Sequence, residues 1–299
     1  MNSEKPAAQA RPTEWPTLAL LALTYGLWAV ATLWLAALWL PGAVMLVALT
    51  GALHSSLSHE ALHGHPSRSA LLNTALVFPA LSLAIPYLRF RDTHLAHHHD
   101  AILTDPYDDP ESNYIDPSVW AGLSAPMRLA LRMNNTLAGR LLLGPVIGQI
   151  AFMQSDWSLR GHADVRRGWL WHLPSMALVL GWVWLSPMPL WAYLLGAYAA
   201  LSILKIRTFL EHRAHDHSSA RSVIIEDRGP LALIFLNNNL HVVHHMHPSL
   251  AWYDLPQLYA RDRDRFLARN GGYAYRSYAQ IFAAHLFRAK DPVAHPLWP

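Results

Sequence analysis

Residues 17–39 contain no charged side chain, and this run limits what the chain can fold into. At about 1.5 Å per residue, a helix over these positions would reach about 34 Å, enough to cross the hydrocarbon core of a bilayer. The chain of 299 residues is 53% hydrophobic and only 14% charged. A soluble domain has roughly 25% charged residues. We therefore predict an integral membrane protein whose first transmembrane helix covers this run.

Further apolar runs predict the rest of the fold. Residues 42–53 continue into the histidine-bearing segment 55–63, so one helix is expected to leave the bilayer carrying that segment. The runs 168–185 and 189–204, separated by Ser186, Pro187 and Met188, predict a second hairpin. The run 70–88 is interrupted by two prolines and the run 141–153 is too short to span, so both are expected to be re-entrant or interfacial. The fold class is all-α integral membrane, with two transmembrane helical hairpins and a cytoplasmic helical cap.

The distribution of basic residues predicts the orientation. The two expected outer turns hold no Lys or Arg, whereas basic residues flank the opposite ends of the spans. Because Lys and Arg are enriched in cytoplasmic loops, both hairpins should begin and end in the cytoplasm. We expect the active site and both termini on the cytoplasmic side of a bacterial inner membrane. The predicted units are a polar N-terminal segment 1–16, a membrane domain 17–256 and a cytoplasmic C-terminal cap 257–299.

Histidines are grouped at spacings that favour metal binding. Residues three and four apart on a helix project from the same side. One zinc ion takes three or four protein ligands, so nine histidines are too many for one zinc and suit two five- or six-coordinate ions. We prefer iron, because a redox ion explains so large a site beside a membrane. The chain has no cysteine, which excludes thiolate ligands and an iron–sulfur cluster. The grouped histidines are His59, His63, His94, His97, His98, His212, His241, His244 and His245.

The motifs HEALH (59–63), HLAHH (94–98), FLEHR (209–213) and HVVHH (241–245) resemble those of the membrane-bound fatty acid desaturase and alkane hydroxylase superfamily. The resemblance covers roughly residues 17–256. It implies a centre of two iron ions, with O2 as co-substrate and the nine histidines as metal ligands. Some desaturases have an asparagine four residues before the isolated histidine. Thr208 occupies that position here, which is closer to the nine-histidine hydroxylase pattern.

The same resemblance implies the reaction. The expected function is O2-dependent oxidation of an unactivated aliphatic C–H bond, either hydroxylation or desaturation of a lipid-like substrate. The local sequences HEALHGHP and LTDPYDDPES also resemble a bacterial branch that includes the rhizopine oxygenase. That second likeness implies hydroxylation leading to O-demethylation of a methoxylated polar substrate such as a rhizopine.

Carboxylates are expected around the metal site. Two ferrous ions with neutral imidazole ligands carry about four positive charges beside a low-dielectric membrane, which calls for nearby anions. We predict that Glu60 and Glu211 accept hydrogen bonds from ligand imidazoles and orient them. The acidic loop is interpreted as solvated, with docking of a partner or of a cationic substrate group as the alternative. Its acidic residues are Asp105, Asp108, Asp109 and Glu111.

Electrons must come from another protein, because the chain has neither cysteine for a cluster nor a glycine-rich dinucleotide motif. We expect an external donor, a ferredoxin of Rieske or other type or a rubredoxin-like protein, with its reductase. Candidate docking residues are Arg68, Arg89 and Arg213. The other expected partners are membrane lipid and a small-molecule substrate. No nucleic acid is expected, because the sequence has no dense basic stripe.

Two other functions remain open from the sequence. HEALH also matches the zinc-protease motif, with Glu60 as the base, so an intramembrane zinc metalloprotease is the enzyme alternative. That alternative leaves seven grouped histidines without a role. A metal-ion transporter is the non-enzymatic alternative, although it would place polar ligands near the middle of the spans. Substrate-lining residues are hypothesised at Tyr87, Trp171, Tyr193 and Trp252.

Overall fold

The computed structural model describes residues 13–99 and 101–298, and helices dominate the described chain. The helices before residue 210 are α1 (Trp15–Leu38), α2 (Leu40–Leu62), α3 (Ala70–Leu76), α4 (Tyr87–His97), α5 (Pro117–Gly122), α6 (Ala125–Asn134), α7 (Leu137–Ser158), α8 (Ala163–Trp184) and α9 (Leu190–Thr208). The later helices are α10 (Pro230–Ile234), α11 (His241–Met246), α12 (Leu255–Arg261), α13 (Arg263–Arg269) and α14 (Tyr278–His285). Strands β1 (Ile224–Ile225) and β2 (Ala274–Tyr275) pair in parallel. The all-α prediction is confirmed, and residues 1–12 of the predicted N-terminal segment lie outside the described residues.

Four of the described helices are long and apolar enough to cross a membrane: α1, α2, α7 and α9. The first two correspond to the predicted first pair of spans, with Trp39 between them. Large apolar side chains such as Leu38, Leu142 and Trp191 are exposed on these helices. Lipid would cover such a surface, since every backbone polar group of a helix is satisfied internally. The chain is a membrane protein.

Helix α7 corrects one prediction. The run 141–153 was expected to be too short to span, but the helix extends from Leu137 to Ser158, 22 residues. It begins after Thr136, whose hydroxyl accepts a hydrogen bond from the Gly139 backbone N–H. The apolar run underestimates the helix because its polar residues, Arg140 and Asp156, are each only 3% exposed and bond to other parts of the protein. A charged residue that finds a partner inside the protein does not end a helix.

The second predicted hairpin is only partly matched. Helix α8 has 22 residues, but it is not among the four helices apolar enough to span. Its charged first turns, with Asp164, Arg166 and Arg167, make it less apolar than the others, as do its tryptophans and His172. Helix α9 packs chiefly against α2 and α7 and has few contacts with α8. The hairpin arrangement of α8 and α9 therefore stays a prediction.

The segment 70–88 is broken as expected. Helix α3 ends at Leu76, and α4 begins after Pro86. Proline lacks the N–H that a helix interior needs, so it separates the two helices. Between them, Leu81 is 1% exposed and packs into the core of the helix bundle. Helix α4 is thereby positioned to carry the second histidine box.

Glycines allow the closest helix packing in the bundle. A Cβ atom added to Gly51 of α2 would lie 2.8 Å from Cβ of Ala200 on α9. One added to Gly196 of α9 would lie 2.7 Å from Val47 of α2. Both distances are far below van der Waals contact, so α2 and α9 approach each other through their glycines. This packing fixes the ends of two helices that lead into histidine motifs.

The C-terminal region packs directly on the histidine-bearing segments. Phe209, just before the isolated histidine, shares a buried cluster with Tyr278 and Ile281 of α14. Val243 of α11 shares another with Phe266 of α13. Helices α13 and α14 therefore pack behind the histidine-bearing segments, while the predicted domain boundary at 257 stays a prediction.

Candidate metal centre

The histidine motifs converge because the elements that carry them end at one place. The first box lies on the last turn of α2 and the second on the end of α4. The third box forms α11 itself, and His212 follows α9. Their imidazoles then fall into two adjacent groups. The five-histidine group is His59, His63, His94, His98 and His244, and the four-histidine group is His97, His212, His241 and His245.

The two HxxHH boxes divide their histidines in opposite ways. In α4, His94 and His98 enter the five-histidine group and His97 enters the other. In α11, the outer two histidines enter the four-histidine group and the middle one, His244, enters the five-histidine group. Residues four apart on a helix differ by about 40° around the axis, whereas the residue three along is about 100° from the fourth. Each box therefore bridges both groups.

Nitrogen–nitrogen distances within the five-histidine group indicate a common ion. The Nε2 atom of His94 is 3.0 Å from Nε2 of His59 and 3.0 Å from Nε2 of His98. His98 Nε2 is 3.1 Å from Nε2 of His244. Ligand nitrogens about 2.1 Å from one ion lie about 3.0 Å apart at neighbouring octahedral positions and about 3.4 Å apart in a tetrahedron. The observed distances match the higher coordination number.

The four-histidine group has the same spacing. His212 Nε2 is 2.9 Å from Nε2 of His97 and 3.0 Å from Nε2 of His241. All ligand atoms of each group lie within 4.8 Å of one another. The isolated histidine is thus the residue around which this group forms.

An orphaned nitrogen provides an independent test of metal fit. Nε2 of His63 is buried and has no hydrogen-bond partner among the described residues. A buried polar atom without a partner is rare in a folded protein and needs an explanation. A metal ion held by the five-histidine group would take this nitrogen as a ligand. The residues present therefore fit a metal site.

Two carboxylates of the acidic loop orient the second box. Glu111 Oε1 is 2.9 Å from Nδ1 of His94, and Asp109 Oδ1 is 2.7 Å from Nδ1 of His97. A carboxylate that accepts from Nδ1–H leaves the Nε2 lone pair free for a metal and fixes the ring. Glu111 Oε2 is also 3.9 Å from Nε2 of His97, so this residue lies against both groups. The interpretation of Asp109 and Glu111 as solvated is wrong.

The carboxylates chosen from the sequence are close but not bonded to histidine. Glu60 Oε1 lies 3.7 Å from Nδ1 of His59, and Glu211 Oε1 lies 3.8 Å from Nδ1 of His241. Both distances exceed hydrogen-bond length. Glu60 Oε2 instead accepts from the Trp252 backbone N–H at 3.2 Å, and Glu211 forms an ion pair with Arg207 at 3.0 Å. The predicted hydrogen bonds are not formed, because each carboxylate is held by another partner.

The isolated histidine is supported from two sides. Nδ1 of His212 is 3.2 Å from the Ser222 hydroxyl, and the same two residues form a short antiparallel bridge. The His212 backbone carbonyl accepts a hydrogen bond from Nζ of Lys290 at 3.2 Å. His241 Nδ1 is 3.1 Å from Asn238 Oδ1. No sequence pattern predicts these supports, since they come from distant or neutral residues.

Burial and neighbouring charges shift the histidine pKa values of the site in opposite directions. Burial and the neighbouring imidazole of His94 lower the pKa of His63 to about 2. Burial and nearby imidazoles also lower the pKa of His98 and His244. Burial likewise disfavours charge on His97, but Glu111 and Asp109 outweigh it and raise the pKa of His97 to about 9. Neutral imidazole is the form that binds a metal, and most of the site holds its histidines in that form.

Other sequence hypotheses have mixed outcomes. Tyr87 and Trp252 pack beside Leu57 and Ala61, next to the first box. Tyr193 lies instead in the bundle core, bonded to Trp28, and Trp171 is 55% exposed on the outer surface. These two residues cannot line a site at the histidines.

Two of the candidate docking residues have partners within the chain. Arg89 is 6% exposed and bonds to Asp156 through Nε and Nη2. Its guanidinium is thereby withdrawn from any partner protein. The guanidinium of Arg213 lies 4.3 Å from the ring centroid of Tyr273 and donates to the Ala220 carbonyl.

Comparison with known families agrees with the geometry. The family model described as fatty acid desaturase matches residues 35–279, which include all nine grouped histidines. No curated protein matches the chain. The match covers well over half of the sequence, and the four apolar helices and the histidine groups are consistent with it. The chain therefore belongs to the fatty acid desaturase family and is a membrane oxidoreductase with a histidine metal site.

Proposed function

We propose that the chain is a membrane di-iron oxygenase that uses O2 and two electrons to oxidise an unactivated aliphatic C–H bond. The observation that carries the proposal is the division of nine histidines into groups of five and four with Nε2 separations of 2.9–3.1 Å. One zinc ion cannot use this many nitrogens, whereas two ions of higher coordination number can.

The chain's own residues provide position and charge. Bound iron would supply the redox chemistry that activates dioxygen. Glu111 and Asp109 hold two imidazoles so that Nε2 points inward, and they offset positive charge at the centre. The apolar cluster around Leu57 and Ala61, with Tyr87 and Trp252 at its edge, excludes water on the side of the first box. A carbon chain held there would lie beside the histidines, which favours reaction at one carbon.

Electrons are supplied from outside in this proposal. The absence of cysteine supports an external ferredoxin, Rieske-type or rubredoxin-like donor with its reductase. The basic flanks of the predicted spans support a cytoplasmic active site at a bacterial inner membrane. A docking surface must involve residues other than Arg89, which is buried against Asp156.

The geometry weighs against the zinc-protease alternative. In that alternative Glu60 would activate a metal-bound water, yet its two oxygens face Trp252 and the neighbouring His59. His59 and His63 also share their group with three further histidines, which exceeds the three protein ligands of a catalytic zinc. A transporter is disfavoured because both groups lie at helix ends and loops rather than along the spans.

Metal analysis combined with turnover tests the proposal. The purified protein should contain about two irons per chain and consume O2 when a ferredoxin system and a substrate are added. The substrate panel consists of an alkane, a fatty acid and a methoxylated polar compound, with product analysis for hydroxyl group, double bond or loss of the methyl group. His97→Ala, which removes one ligand of the four-histidine group, should lose activity, whereas His162→Ala, at an exposed position, should keep it. About one zinc per chain with peptide cleavage would support the protease instead.

A further inference from the structure

The hydroxyl group of Tyr114 is hydrogen-bonded on two sides. Tyr114 is 6% exposed, and its hydroxyl donates to Oδ2 of Asp291. The same oxygen accepts a hydrogen bond from the backbone N–H of Ala214 at 2.9 Å. Burial and the Asp291 carboxylate raise the pKa of Tyr114, so the resting phenol keeps its proton. If the ring loses an electron it becomes a strong acid, and Asp291 is in place to accept the proton.

Two short connections join Tyr114 to the four-histidine group. Ala214, which donates to the Tyr114 hydroxyl, follows His212 by two positions. Nζ of Lys290 lies 5.5 Å from the centroid of the Tyr114 ring and donates to the His212 carbonyl at 3.2 Å. Electron transfer slows steeply with distance, and it is faster through covalent and hydrogen bonds than through space. An electron from Tyr114 therefore has a short route to a member of the histidine group.

A row of aromatic rings leads from Tyr114 to the surface. The centroid of the Tyr114 ring is 5.0 Å from that of His295, which is 5.9 Å from that of Trp298. The Trp298 ring in turn lies 5.8 Å from the ring of Tyr107, which is 64% exposed. The Tyr107 hydroxyl donates to Oδ2 of Asp116 at 2.9 Å. Both ends of the row are therefore tyrosines that hydrogen-bond to a carboxylate.

Tyr273 lies near the same histidine but lacks these features. It is 9% exposed, and its hydroxyl donates at 2.7 Å to the backbone carbonyl of Leu210, just before His212. A backbone carbonyl does not take up a proton, so this tyrosine has no base beside its hydroxyl. Its ring lies 6.1 Å from that of Tyr275. Tyr273 therefore provides a matched control for Tyr114.

We propose that Tyr114, Trp298 and Tyr107 form an electron-transfer path that reduces the oxidised metal centre when no substrate is available. This inference rests on the proposed function, which identifies the oxidant as the metal centre after its reaction with O2. Without such a path, an unused oxidant would attack the histidines and other side chains around it. The path instead carries its oxidising equivalents to the protein surface.

Each passage moves one electron inward and balances its protons. Tyr114 gives one electron to the centre and its hydroxyl proton to Asp291, which breaks the O–H bond and leaves a neutral tyrosyl radical. Trp298 then returns an electron to Tyr114, and the proton comes back from Asp291. Tyr107 reduces Trp298 and gives its proton to Asp116, which releases it to solvent. A water-soluble thiol finally donates a hydrogen atom to Tyr107 and becomes a thiyl radical.

Radical detection tests the path in the metal-loaded protein. Reduced, iron-loaded protein is mixed with O2 in the absence of substrate and frozen at intervals for electron paramagnetic resonance. We expect a tyrosyl radical that is lost in Tyr114→Phe and retained in Tyr273→Phe. Trp298→Phe should prolong this radical and prevent the attachment of a spin trap to Tyr107. O2 consumption without a tyrosyl radical in the unaltered protein would overturn the proposal, as would an unchanged signal in Tyr114→Phe.

A photochemical test of the path needs no reaction with O2. The protein is loaded with zinc, which does not change its oxidation state. Because the chain has no cysteine, Asp108→Cys, at an exposed position, offers a single attachment point for a ruthenium photosensitiser. Tyr107→Phe in the same variant removes the nearest tyrosine, so that a tyrosyl radical must form at Tyr114 through Trp298.

After a light flash and oxidative quenching, we expect the transient absorption of a tyrosyl radical, and its loss when Trp298→Phe is added. Absence of this signal would overturn the path. Electron transfer in the zinc-loaded protein, combined with no O2 consumption by the iron-loaded protein, would contradict the proposed function and leave the path standing.

Discussion

Lys290 donates a hydrogen bond from Nζ to the backbone carbonyl oxygen of His212 at 3.2 Å. The lysine side chain is only 5% exposed and pairs with Asp291 at 3.7 Å. The C-terminal segment thus holds the residue around which the four-histidine group forms. A residue 78 positions away in sequence therefore stabilises this half of the metal centre.

Lys290→Met should weaken the four-histidine group selectively. Loss of a hydrogen bond from a charged donor costs about 1.5–3 kcal/mol, so His212 should bind its metal about tenfold or more weakly. The metal content measured after dialysis should fall from about two ions per chain towards one. Arg288→Met, at an exposed position in the same segment, is the control. An unchanged ratio in Lys290→Met would contradict a supporting role for this contact.

Glu111→Ala should reduce metal affinity at both groups. Its carboxylate bonds to Nδ1 of His94 and lies 3.9 Å from Nε2 of His97. Removal of such an outer partner typically lowers metal affinity about 10- to 100-fold. Competition with a chelator of known affinity measures the change. Asp108→Ala, in the same loop but exposed, should leave affinity unchanged, and equal losses in the two variants would point to a general effect of loop charge.

The metal-free protein should lose stability as the pH falls below about 6.5. The pKa of His63 is lowered by burial from 6.5 to about 2, so the unfolded chain takes up a proton that the folded protein excludes. Each such histidine lowers the free energy of unfolding by about 1.4 kcal/mol per pH unit below 6.5. The thermal midpoint of chelator-treated protein should therefore be lower at pH 5.5 than at pH 7, and less so in His63→Gln. A midpoint independent of pH over this interval would refute the prediction.

His97 should change the stability of the metal-free protein with pH in the direction opposite to His63. Glu111 and Asp109 outweigh the effect of burial and raise its pKa to about 9. Its stabilisation is present below 6.5 and is lost as the pH rises through 9. The thermal midpoint of chelator-treated protein, measured at several pH values between 7 and 10, should fall as the pH rises. Asp109→Asn should reduce it, because the variant removes one of the two charges.

Asp156→Ala should destabilise the fold strongly. The carboxylate accepts from Arg89 at 2.9 Å and from the Trp169 indole at 2.8 Å, and it is 3% exposed. Removal of one partner from a buried ion pair costs about 3–5 kcal/mol when the other charge is left unpaired. Asp92 stays 3.6 Å from Nη1 of Arg89, so the loss should lie at the lower end of this range. The thermal midpoint in detergent measures the loss, with exposed Asp164→Ala as the control. The double variant Arg89→Met, Asp156→Leu should recover part of the lost thermal midpoint, because it removes both charges. A midpoint as low as that of Asp156→Ala would argue against the unpaired charge as the cause.

The sequence predicted the helical membrane fold and the convergence of nine histidines. Apolar runs are a local property, since any run of that length must be satisfied inside lipid. The spacing of His94, His97 and His98 is also local, because the helix period alone places them on related faces. The same reasoning failed for α7, where Arg140 and Asp156 lie beyond the ends of the apolar run but inside the helix, buried by contacts that the sequence does not display.

The tertiary structure alone decided which histidines share a group and which carboxylates support them. The helical spacing separates the middle histidine of each HxxHH box from the outer two, but which group each part joins depends on the neighbouring segments. Glu60 and Glu211 are adjacent in sequence to histidines, yet Asp109 and Glu111 make the hydrogen bonds. Sequence neighbours on a helix point in different directions, whereas a loop can fold back to reach an imidazole nitrogen. Local patterns therefore fixed the ligands that could meet, and packing between distant segments set how they meet.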